Sequence, residues 1–197
     1  MPELQQITFR AVWLGAVLAA AMVLTAGCTD KAAPESAEAA KPLVAETQSG
    51  DFLLRLVSEK PIYYSDEEVK LTAKLKYIGE KDRVTLSHKS SPFQYRIQEM
   101  TRGVDIPLTM EAITRETELK RDHWYEESFV KAGVDLFDEA ERNNEFIRSF
   151  EESDTFPAGE YEIELNSDFY VQMDGEEVQQ LVTTGLIITV GKSNTLP

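Results

Sequence analysis

The stretch VKLTAKLKY, Val69–Tyr77, alternates without a break: Val69, Leu71, Ala73, Leu75 and Tyr77 on one side, Lys70, Thr72, Lys74 and Lys76 on the other. A period of two over nine residues describes a strand with one buried and one wet face. That is the pattern of antiparallel sheets, since parallel strands covered on both faces read as continuous apolar runs. The same alternation recurs in Phe93, Tyr95 and Ile97, which are separated by Gln94 and Arg96, and in Tyr161, Ile163 and Leu165, which are separated by Glu162 and Glu164.

Further strands are predicted at Phe52 to Val57, Arg83 to Ser87, Thr117 to Lys120, Tyr125 to Val130 and Leu181 to Val190, with turns at Ile78-Gly79, Arg102-Gly103 and Asp174-Gly175. About eight short strands with one polar face predict an all-β sandwich. One segment departs from the period. In VDLFDEAERNNEFIRSF, Leu136, Ala140, Ile147 and Phe150 fall near one helical face and Asp135 is available as an N-cap, which predicts one short helix over about 138–149.

Ahead of these strands, Ala11 to Thr25 forms an apolar run preceded by Arg10 and followed by Ala26 and Gly27. It is shorter than the ~20 residues of a spanning helix and has the layout of a secretory signal. The sole cysteine follows at once, and LTAGC, Leu24 to Cys28, resembles the lipobox of bacterial lipoproteins. The resemblance implies that residues 1–27 are a signal peptide cut before Cys28. It further implies that the Cys28 sulfur carries a diacylglyceryl group, and that the protein is held by lipid on the extracytoplasmic side of a cell membrane. Residues 28–50, rich in Ala, Glu, Pro, Lys and Ser, are predicted to be a lipid-anchored flexible linker, and residues 51–197 the folded domain.

In FPAGEYEIEL a Pro-Ala-Gly turn feeds a strand that carries Tyr161 two residues past Gly159. This resembles the tyrosine corner of immunoglobulin-like domains and is similar to a turn of the small immunoglobulin-like proteinase inhibitors of Bacillus. A generic hairpin with a core tyrosine gives the same residues. The resemblance implies an antiparallel immunoglobulin-like β-sandwich.

Charge narrows the partners. Acidic residues outnumber basic ones 35 to 20, for a formal net charge of −15, which opposes binding to nucleic acid. From Ser149 to Gly191 there are ten acidic residues and no Lys or Arg. Glu160, Glu162 and Glu164 would project from one strand face. They would pair across strands if Lys70, Lys74 and Lys76 lay alongside, and would meet a basic partner or divalent cations if the two rows sat on different sheets. In HWYEE, adjacent Trp124 and Tyr125 must point to opposite faces, so one enters the core and the other is a candidate partner contact.

His88 and His123 are 35 residues apart with no cysteine in the domain, and neither DGEE nor DLFDEAE spaces its oxygens as an EF-hand loop does. No nucleophile-elbow, zincin, phosphate-loop or dinucleotide motif occurs. The expectation is therefore a non-enzymatic binding module without metal or cofactor. It would be held to the membrane through Cys28 and would contact an envelope protein or polymer through Trp124, Tyr125, Glu160, Glu162 and Glu164. The alternative is a proteinase inhibitor acting through an exposed loop.

Overall fold

The computed structural model describes residues 41–136, 139–173 and 175–193. The signal peptide, Cys28 and the first part of the linker lie outside these residues. Two sheets face each other. The first has the order β1 (Leu43–Ser49), β2 (Phe52–Ser58), β4 (Leu71–Tyr77), β9 (Trp124–Ser128), all antiparallel.

The second sheet is built on a long hairpin of β10 (Gly159–Met173) and β11 (Glu176–Gly191). On its other edge β10 takes β6 (Phe93–Glu99) along Tyr161–Ser167, then β5 (Arg83–His88) at Tyr170–Val171. Strand β6 carries β7 (Val104–Ile106), and β5 carries β8 (Arg115–Lys120). Strand β3 (Ile62–Tyr64) joins β11 in parallel, so the sandwich is antiparallel except at this pair.

The inward members of the alternating runs make the core. Phe52, Leu54 and Leu56 of β2, Ala73 and Leu75 of β4, and Tyr161, Ile163 and Leu165 of β10 are fully buried. Phe52 meets Phe169 edge-on across the sheets at 4.8 Å between ring centroids. Each large aliphatic side chain buried this way contributes about 1.5–3 kcal/mol, so the period of two is itself the main source of stability.

Two expectations are corrected. The linker does not run to residue 50: Leu43–Ser49 is a strand, paired with β2 from Leu43↔Ser58 to Ser49↔Phe52 and turned by Gly50 at φ +54°. Its inward members, Leu43, Ala45, Thr47 and Ser49, are mostly small or polar and only half-buried, so hydrogen bonding to β2 defines this strand more than burial does.

The single helix is two, α1 (Glu139–Asn143) and α2 (Glu145–Glu152). Asn144 breaks it because its side-chain oxygen accepts from the amides of Phe146 (3.0 Å) and Ile147 (3.3 Å), an N-cap in place of an interior helical residue. Asp135 stands four residues ahead of the start of α1, where its amide donates to Pro107 O and its carboxylate accepts from the Thr109 hydroxyl. Ile147 and Phe150 are buried as the helical face requires, while Ala140 is exposed. The Lys131 ammonium donates to Phe150 O and Ser153 O, closing the C-terminal end of α2 onto the sandwich.

At the start of β10, Tyr161 is fully buried and its hydroxyl donates to Pro157 O at 2.6 Å, the geometry of a tyrosine corner. Tyr161→Phe should lower stability by about 1–3 kcal/mol, the cost of leaving a carbonyl without its donor. Urea unfolding with an unchanged m-value is the expected outcome, and a smaller loss would show that water reaches Pro157 O.

Candidate functional site

Strand β9 ends the first sheet, and β7 covers β6 only from Ile97 onward, so Phe93–Arg96 is also an edge. Between these two edges lies a cleft of about 300 Å³, bounded by the chain around Ser91, by 108–111 and by 128–132. A β-bridge between Leu108 and Val134 and the bond from Thr109 N to Gly133 O hold the outer segments together.

Period two explains what points inward. On β9 Tyr125 and Glu127 share the core side, opposite Leu75 and Ala73 of β4. The Glu127 carboxylate accepts from the Ser91 hydroxyl at 2.6 Å and from the Tyr125 hydroxyl at 2.5 Å. Phe93 stacks on Tyr125 at 6.0 Å, and Tyr95 meets Phe129 edge-on at 4.9 Å. The Tyr95 hydroxyl is buried with no hydrogen-bond partner among the described residues and lies in the cleft lining; the Gln94 side-chain nitrogen, on the opposite face of β6, is likewise without a partner. Met110 and Val130 stand exposed at its rim.

The cleft is acidic and aromatic. Glu111 and Glu127 line it, and no Lys, Arg or His is among the described lining residues, although Arg115 lies near enough to the Tyr125 phenol to oppose its upward shift. Burial pushes the Tyr95 phenol well above its ordinary range, and the Glu127 charge adds to this. Burial also pushes the Tyr125 phenol up to about 12, reinforced by the hydrogen bond it donates to Glu127 and by that charge.

Ser91 bonds directly to a carboxylate with no imidazole between them. His88, itself buried, is engaged elsewhere: its Nδ1 faces Lys89 O at 2.6 Å, and since a carbonyl only accepts, a neutral ring carries its proton there and takes the Thr117 hydroxyl at Nε2. The arrangement offers acceptors and ring faces to a ligand.

The sequence-predicted contact residues are placed elsewhere, Tyr125 excepted. Trp124 lies on the outer face of the first sheet, with Arg55 and Lys76 each 4.5 Å from its ring centroid, so its π-system already holds two cations. Glu160, Glu162 and Glu164 lie on the outer face of the second sheet, opposite Thr189, Ile187 and Gly185 of β11. Glu160 and Glu162 are exposed; Glu164 is half-buried and accepts from the Asn166 amide.

Cross-strand pairing with the lysine row is overturned, because β4 belongs to the other sheet. Lys70 and Lys74 pair instead with Glu59 at 3.6 Å and Glu126 at 2.8 Å. The acidic row and the Trp124 face are thus on different sheets and form no common site. Sequence reasoning missed Ser91, Gln94, Tyr95, Glu127 and Phe129. The one available signal was that Glu127 has the same parity as Tyr125 in HWYEES.

Three of the seven tyrosines, Tyr95, Tyr125 and Tyr161, titrate above their ordinary range. A phenol held up in the fold contributes stability that is intact below the unfolded value near 10 and declines as pH rises toward the folded one. Ultraviolet titration should show these three ionising late, with unfolding by urea restoring them to about 10. Stability should fall between about pH 10 and 12. No protein-family model, characterised protein or solved structure matches this chain.

Proposed function

We propose that this chain is a membrane-anchored extracytoplasmic lipoprotein whose β-sandwich is a non-catalytic binding module, with the cleft between β6 and β9 as its ligand site. The observation that carries the cleft reading is the buried Tyr95 hydroxyl, left without a partner among the described residues in an aromatic-lined cleft. Such groups cost about 1–3 kcal/mol each when unsatisfied, and folded proteins keep them where a ligand or water completes the bond.

The LTAGC stretch supports the anchor. With β1 starting at Leu43, fourteen residues separate Cys28 from the sandwich, a reach of at most about 45 Å at full extension. The tyrosine-corner bond at Tyr161 supports grouping the domain with immunoglobulin-like sandwiches.

A second reading, a proteinase inhibitor, draws support from the six consecutive exposed residues 109–114, whose base is held by the Thr109 N to Gly133 O bond. It requires that Met110→Asp abolish inhibition of some extracellular protease.

Two measurements test the first reading. Cys28→Ser should abolish fatty-acid labelling and release the protein from membranes; wild-type protein that takes up no label overturns the anchor. For the cleft, the full chain in detergent is screened against small molecules by thermal shift beside Ala132→Trp, which fills the cleft. Ligands at about one hundred times Kd should add about 2.7 kcal/mol to the wild type and nothing to the variant. A screen in which no compound separates the two overturns the cleft.

A further inference from the structure

We infer that the cleft between β6 and β9 recognises a primary alkylammonium group, with the nitrogen at Glu127 and the alkyl chain against the rim. This rests on the cleft being a ligand site. Five observations point to that cation.

First, Glu127 forms no ion pair with any described Lys, Arg or His; its two bonds come from neutral hydroxyls, and a carboxylate oxygen that accepts one bond still has a lone pair to offer. Second, the bases four residues away on either side are engaged elsewhere: the Lys131 ammonium donates to Phe150 O and Ser153 O, and His123 Nδ1 meets Arg121 O. Third, the remaining unpartnered polar group on the core side complements an N–H donor: the neutral Tyr95 hydroxyl can accept.

Fourth, Phe93, Tyr95 and Phe129 line the same cleft as the carboxylate, and a ring face turned to the ligand favours a cation over an anion. Fifth, Glu111 and the net charge of −15 repel carboxylate or phosphate ligands and draw cations in. Met110 and Val130, exposed beside an acidic interior, give an alkyl chain its apolar contact. A quaternary ammonium lacks the N–H groups that the acceptors ask for.

An inward carboxylate on an edge strand also has a bland use, since it discourages another chain from pairing there. The experiment separates the two. The full chain in detergent is titrated calorimetrically with n-pentylammonium, tetramethylammonium and n-pentanol, alongside the variants Glu127→Gln and Tyr95→Phe.

Pentylammonium should bind in preference to the other two. Glu127→Gln should weaken it by about ten-fold or more, the size of one charged hydrogen bond. Tyr95→Phe should raise the melting temperature of the unliganded protein while weakening pentylammonium. Because that variant deletes a buried hydroxyl without a partner, it keeps the test valid even if Glu127→Gln folds poorly.

Pentanol binding as tightly as pentylammonium overturns the cation and leaves the cleft standing. Tetramethylammonium binding best overturns the primary amine. If none of the three binds, this inference fails while the thermal-shift screen still decides the cleft itself. If Glu127→Gln self-associates with pentylammonium binding unchanged, the carboxylate guards the edge and the inference is wrong.

Discussion

Strand β10 is hydrogen-bonded along its whole length to β11 and divides its other edge between two strands, β6 and then β5. That division sets the rest of the architecture. A single partner would have covered the edge of β10 continuously; two partners force the chain to leave one and return to the other through Lys89–Pro92, which brings Ser90 and Ser91 to the sandwich's open side. At the exchange point Ser167, opposite Phe93, is fully buried with an unpartnered hydroxyl. Among the described residues, the inward polar groups without a partner, the Tyr95 and Ser167 hydroxyls, thus fall near where the sheet changes partners.

How much of this could be read from the chain depends on what each residue's neighbours are. Strands β4, β6 and β10 were legible because their inward members are large and apolar, so one face announces itself. Strand β1 was not, because Ala45, Thr47 and Ser49 carry little apolar signal and follow an Ala/Glu/Pro-rich stretch. Strands β3 and β7 have three residues each, too few for a period. The helical face was right for Ile147 and Phe150 but not for the exposed Ala140, and the break was not foreseen, since Asn144 competes for backbone amides only once two turns are laid out.

The candidate site was legible in fragments. Alternation put Trp124 and Tyr125 on opposite faces without saying which was inside; once the structure turns Tyr125 inward, the same parity puts Glu127 inside. Alternation is silent about which sheet a strand joins, and for that reason the lysine row of β4 and the glutamate row of β10 could be imagined side by side when they lie on opposite outer faces. It is equally silent about a serine 36 residues earlier that reaches Glu127, and about a tyrosine hydroxyl that finds no partner. Such facts belong to tertiary packing.

The two outer faces differ in how their charges are answered. On the first sheet Arg55 pairs with Glu46 and Lys74 with Glu126, while Arg55 and Lys76 flank Trp124, so opposite charges interleave and cancel locally. On the second, the single Arg96 stands opposite Glu164, shares a pocket with Glu162 and bonds Asp105 at 3.5 Å, while Glu160 and Asp168 face no basic residue across β11. Exposed pairs of this kind contribute little stability, about 0–1 kcal/mol. The asymmetry acts at longer range instead, as a field that is strongest toward the acidic side and is screened beyond about 8–10 Å at physiological salt. A cation approaching the cleft moves down that field, and the step that fixes it is local: a carboxylate already oriented by two hydroxyls need not reorganise when an N–H donor arrives, so the ordering that binding would otherwise require is built into the folded state.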